Sequence, residues 1–200
     1  MSEQAEETTE QAGNEPARRR VAPFLALAIA LVIAGLVVVL ASAKSSHPDS
    51  AATPLLGQPV PAKAQATTLD GTPFSLADRK GTWLAINFFS TTCVPCVQEH
   101  PELVRFADAQ AQLPADQRTE LISVVYNDSV SNVKTFFAQR GGGTWPVVND
   151  DTLQIAVAFG VAKVPETWLV DPNGIIRRRL ISTIDANGLE AEITRLRATP

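Results

Sequence analysis

Two cysteines, Cys93 and Cys96, are the only ones among 200 residues, and they lie three positions apart within NFFSTTCVPCVQEHPEL, Asn87 to Leu103. Three chemistries compete for such a pair: a redox dithiol, a metal clamp or a structural disulfide. A closed zinc site takes about four ligands, yet of the two histidines His47 lies in a linker-like stretch and only His100 is near the pair. No metal site is expected. A disulfide that spans two residues closes almost none of the chain's entropy, so stabilisation is a poor reason for it. Redox exchange fits the spacing better. Residues three apart in a helical turn share one face at about 5 to 6 Å, within the separation a disulfide tolerates. A helix N-terminus presents unpaired N–H groups and partial positive charge, which stabilise a thiolate. Cys93 is then the attacking sulfur and Cys96 the resolving one. Pro95, between them, suits the first turn of a helix, where its missing N–H costs nothing.

The elements that must hold this pair are legible on either side of it. TWLAINFF, 82–89, is a continuous apolar run of strand length, as in a strand buried on both faces. A helical pattern follows, carrying Val97, His100, Leu103, Val104 and Phe106. ELISVVY, 120–126, predicts a second buried strand, and a helix is expected from about Ser129 to Gln139. QRGGGTWP breaks that helix with three glycines, and a shorter helix lies near Leu153 to Phe159. ETWLV, then the turn DPNG, then IIRRRLI predict an antiparallel hairpin. NGLEAEITRLRA closes the chain as an amphipathic helix with Leu189, Ile193 and Leu196 on one face. Upstream, KAQATTLDGTPFSL carries a hairpin signal around Asp70-Gly71. The order of elements implies an α/β fold, a mixed central sheet flanked by helices with an N-terminal hairpin extension.

The N-terminal quarter reads differently. Residues 1–20 are polar and without apolar periodicity, a disordered tail. Residues 21–43 pass 23 positions without a charge, enough at 1.5 Å per residue to span a hydrocarbon core of roughly 30 Å. Arg18, Arg19 and Arg20 precede this stretch and Lys44 alone follows it, so the positive-inside bias keeps the tail in the cytoplasm. The expectation is a single-pass cell-membrane protein with its catalytic domain outside the cytoplasm. Ala41-Ser42-Ala43 has the A-x-A form of a signal cleavage site, but the apolar run exceeds an ordinary signal core and favours an uncleaved anchor. Residues 44–58, rich in Ser, Ala and Pro, read as a linker, and 59–200 as the catalytic domain. Net charge is only −4 and basic residues form no patch, which sets nucleic acid aside. No flavin or nicotinamide fingerprint is visible, so no cofactor is expected.

With FGVAKVPETWLVDPNGIIRRRLIS, Phe159 to Ser182, added to the Cys-x-x-Cys stretch, the chain resembles the membrane-anchored thioredoxin-like thiol-disulfide oxidoreductases of cytochrome c maturation, over roughly Pro59 to Arg197. The resemblance implies a thioredoxin-like fold. It implies that Pro165 is cis and faces the cysteine pair, with the backbone beside it, at Val164, holding an extended substrate. It places Glu166 at the substrate surface and Glu99 near the pair, tuning its protonation. The partners it implies are disulfide-bearing exported proteins such as apocytochrome c and a membrane dithiol electron donor. One departure stands out: most relatives carry Trp immediately before the first cysteine, and here Thr92 stands there. His100 reads as a partly buried structural histidine, and Trp145 and Trp168 as core aromatics.

Other activities remain open on residues alone. An oxidant or general exchange factor of this fold usually has a His between the cysteines, where this chain has Val94-Pro95. A thiol peroxidase would need P-x-x-x-T-x-x-C, and Ile86 and Ser90 occupy the Pro and Thr positions. A non-enzymatic role, as a copper chaperone or tethered binding module, would not need a reactive Cys93.

Overall fold

The computed structural model describes residues 22–42 and 53–199, with side chains for 25–36 and 53–199. The expected tail, the cleavage site at Ala43 and residues 44–52 of the expected linker lie outside the described residues. The chain divides into two compact units, 1–46 and 47–200. In the first, α1 runs Ala22–Ser42, and Leu25, Leu27, Ile29, Leu31, Val32, Ile33 and Leu36 are all exposed. Among the residues described with side chains, no helix is long and apolar enough to cross a membrane.

The second unit holds β1 (Gln65–Thr68), β2 (Pro73–Ser75), β3 (Trp83–Phe89), α2 (Val94–Ala111), β4 (Thr119–Val125), α3 (Val130–Arg140), β5 (Val147–Asn149), α4 (Gln154–Phe159), β6 (Glu166–Val170), β7 (Ile176–Ile181) and α5 (Ala186–Arg197). One seven-stranded sheet has the order β2-β1-β5-β4-β3-β6-β7. β3, β4 and β5 are parallel, while β6, β7 and the β1–β2 hairpin add antiparallel edges. The mixed sheet and the N-terminal hairpin are thus as expected. β5 was not: its three residues are too few for a periodic pattern, and only pairing with β1 and β4 makes them a strand.

β3 explains its own apolar run. Successive side chains point to opposite faces of a sheet, and both faces here are covered. Leu84, Ile86 and Phe88 enter one core with Phe159 of α4 and Trp168 of β6. Ala85 and Phe89 enter the other with Cys96, Leu103 and Phe106 of α2, Phe136 of α3 and Ile193 of α5. The only polar residue of β3, Asn87, is fully buried on the α2 side.

The catalytic unit begins earlier than Pro59. Leu55 and Leu56 pack against the first core, the Gly57 N–H donates to Ile176 O at 2.8 Å and the Ile176 N–H to Gln58 O at 2.9 Å. Residues 53–58, expected to be linker, are held on β7 by these bonds. β6 is antiparallel to β3, and β7 to β6, so Ile176 lies at the end of the sheet opposite the one from which β3 leads to Cys93. The chain enters the domain away from the cysteines.

Candidate active site

Cys93 leaves β3 through Ser90-Thr91-Thr92 and becomes the N-cap of α2, with extended φ −82° and ψ 107°. Pro95 occupies the first turn, as its missing N–H allows. The two cysteines form a disulfide with Cα atoms 5.2 Å apart. Their exposure is unequal: Cys93 is half-buried, Cys96 only 3% exposed. The Cys96 N–H donates to Cys93 Sγ at 3.2 Å. The positive end of an 18-residue helix lies behind that donor. Of the two sulfurs, Cys93 is the more accessible from outside.

The facing wall comes from the loop between α4 and β6. The Val164–Pro165 peptide is cis, and Val164 O lies 3.5 Å from Cys93 Sγ. Val164 is partly buried and touches both cores, so the carbonyl is held by packing on both sides.

Glu99 lies one helical turn beyond Cys96 on the same face of α2 and is 2% exposed. Its Oε1 accepts the Ile184 N–H at 2.9 Å and its Oε2 the Asn87 amide at 3.0 Å. Burial pushes its carboxyl up to about 7, against the lowering effect of those two hydrogen bonds. A carboxyl that exchanges its proton near neutrality can take or return the proton of a neighbouring thiol. Asn87 also donates to Thr167 Oγ1 at 3.0 Å, which ties Glu99 to the central strands. Sequence reasoning passed over Asn87 as part of an apolar run; a lone amide within a strand buried on both faces was the available signal, since buried polar groups need partners.

Glu166 departs from expectation. It is paired with Phe88 across β3 and β6, and opposed residues share a face, so its side chain turns to the α4 side, away from α2. There it is 1% exposed. Arg179 of β7 grips it through two hydrogen bonds, Nε at 2.8 Å and Nη2 at 2.9 Å, and Trp168 Nε1 donates a third at 2.6 Å. It is neither a solvated carboxylate nor a side chain free to touch substrate. The reason is register: Thr167, its neighbour, took the face toward Asn87 and Glu99. Cys93, Cys96, Glu99, Val164 and Pro165 are brought together; the carboxylate of Glu166 is not.

His100 is 4% exposed, its Nε2 is 2.9 Å from Gly141 O, and it packs edge-on against Phe136 and Phe137. It is a structural histidine. Trp145 and Trp168 are buried in the two cores. Among the described residues no group of three or more His, Cys, Asp or Glu is placed to hold a metal ion.

Comparison with known proteins agrees with this geometry. Residues 56–179, which include the cysteine pair and Pro165, match the AhpC/TSA family. The chain is 30% identical over 125 residues to the thiol-disulfide oxidoreductase ResA of Geobacillus thermodenitrificans, covering 62% of this chain and 69% of that one. It is 27% identical over 168 residues to the thiol:disulfide interchange protein DsbE of Pseudomonas aeruginosa, covering 84% and 87%. In fold it is similar to dsbF of MTB, solved in mixed oxidised and reduced forms, with a TM-score of 0.61 at 24% identity over 68% of this chain and 98% of that one. The chain belongs to the AhpC/TSA family, as a thiol-disulfide oxidoreductase of thioredoxin-like fold.

Proposed function

We propose that the protein is a membrane-tethered, extracytoplasmic reductase of disulfides in exported proteins, apocytochrome c among them, with residues 21–43 as its anchor and the N-terminus in the cytoplasm. In the reduced enzyme the Cys93 thiolate attacks a substrate disulfide, forming a mixed disulfide and displacing one substrate thiolate, which takes up a proton. Cys96 then loses its proton to Glu99 and attacks Cys93 Sγ, which releases the second substrate sulfur. Two electrons pass to the substrate and the Cys93–Cys96 disulfide remains. A membrane dithiol returns the two electrons, becoming a disulfide itself. Val164 and Pro165 hold the substrate main chain beside Cys93, and Glu166 supports that wall from behind through Arg179.

The observation that carries the reading is the asymmetry of the pair: a half-buried Cys93 that receives a helix N–H beside the Val164 carbonyl, over a buried Cys96 with Glu99 one turn away. The ResA and DsbE relatives favour the same chemistry. The test is a trap. In a Cys96→Ala variant the mixed disulfide at Cys93 cannot be resolved, so clients accumulate linked to it. Cytochrome c precursors among the captured proteins are expected; a set of clients without them restricts the protein to general disulfide exchange.

A further inference from the structure

The turn that delivers Cys93 is held from outside by one side chain, Asp128, at the junction of β4 and α3. Asp128 Oδ2 accepts the Thr91 N–H at 2.7 Å, the Thr91 hydroxyl, and the Ser90 hydroxyl at 3.1 Å. Its Oδ1 accepts the Ser129 N–H at 2.7 Å and the Asn132 amide at 3.1 Å. Five donors thus converge on one carboxylate; its partial burial is outweighed by the hydrogen bonds from Thr91, Asn132 and Ser129, which hold it below the usual carboxylate range.

The backbone on both sides is shaped for this convergence. Asn127 adopts a left-handed φ of 48°, a conformation that Asn tolerates better than most residues, and it turns the chain between β4 and Asp128. Ser129 then caps α3 by accepting the Asn132 N–H at 3.1 Å, so Asp128 is fixed to the start of a helix. On the other side, the Cys93 N–H donates to Ser90 O at 3.2 Å. The two residues that Asp128 grips, Ser90 and Thr91, are the first half of the turn that ends at the reactive sulfur. Ser90 is itself buried and its hydroxyl also meets that of Thr92 at 3.0 Å.

We propose that Asp128 is a positioning residue for disulfide exchange: by clamping Ser90 and Thr91 to α3, it holds Cys93 at the mouth of α2, where its sulfur receives the Cys96 N–H. The proposal rests on the assignment of Cys93 as the attacking sulfur. Beyond the clamp, Thr92, Val94 and Pro95 are exposed, Val94 at 66%, and Thr92 is held only through Ser90, one of the two residues that Asp128 grips.

The test uses the full chain, reduced and carrying Cys96→Ala, and follows formation of the mixed disulfide with oxidised glutathione. Asp128→Asn turns an amide N–H₂ toward one set of donors and is expected to slow the reaction about tenfold, as for loss of charge-assisted hydrogen bonds. Thr91→Val removes one hydroxyl and keeps the carboxylate and the N–H; about a threefold loss is expected, as for a single hydrogen bond. Thr91→Ser restores the hydroxyl and should react as the parent does. Melting temperatures are measured beside the rates. Variants that melt earlier but react at the parent rate would make the clamp a stabilising contact only and overturn the proposal, as would Thr91→Ser reacting as slowly as Thr91→Val. A parent whose Cys93 does not react removes the assignment of the attacking sulfur, and the proposal with it; a reactive parent with equally reactive variants removes the clamp alone.

Discussion

Glu99 ties the chemistry of the site to the stability of the fold. The folded protein releases the Glu99 proton near pH 7, whereas an unperturbed carboxyl does so near 4.5. Between those values the folded state binds the extra proton, so stability falls as pH rises through the window and the whole loss is present above it. The separation is worth about 3 kcal/mol. Urea unfolding of the oxidised protein from pH 4.5 to 8 should therefore show wild type losing about that much relative to Glu99→Gln, which carries no proton to release. Parallel profiles would mean that Glu99 ionises as an exposed carboxyl does. The cysteines were legible because their meaning lies in spacing along one helix. The proton affinity of Glu99 was not, because it is set first by burial in the folded core and then by the opposing bonds from Ile184, 85 residues away, and Asn87.

At the level of elements, the β6–β7 pair shows where pattern reading stops. ETWLV and IIRRRLI announce a hairpin, and the hairpin forms. Which face each residue takes follows from pairing with β3, and that choice buried Glu166 against Arg179 instead of offering it to substrate. The pair also sits against Trp168, whose ring lies 5.2 Å from the Arg179 guanidinium. Arg179→Ala leaves a carboxylate buried without its cation, a change expected to cost about 3 to 5 kcal/mol by urea unfolding. The double change Glu166→Gln with Arg179→Met removes both charges and should recover most of that loss. If the single change costs under about 1 kcal/mol, the pair behaves as an exposed one. β5 illustrates the opposite limit, since a three-residue strand has no periodicity of its own and exists through its neighbours.

For the whole molecule, the expectation is division of labour between an N-terminal anchor and a domain with its own two cores. A chain beginning at Thr53 retains Leu55, Leu56 and the Gly57 and Gln58 bonds to β7. It should fractionate as soluble protein and exchange disulfides with glutathione at the rate of the full chain, while the full chain stays with membranes. Recovery of the full chain in the soluble fraction would remove the anchor. A start at Pro59, where the linker was expected to end, forfeits those contacts and should melt earlier. The sequence alone determined the cysteine pair, the helix that carries it, the alternation of strands and helices and the mixed sheet, because each is written in spacing over a few residues and in the period of apolar side chains. Only the tertiary structure decided that Glu99 is tied to β3, that Glu166 turns from the cysteines, and that Asp128 grips the loop before Cys93. These depend on which strands pair and in what register, and they join residues 12 to 80 positions apart, beyond the reach of any local pattern.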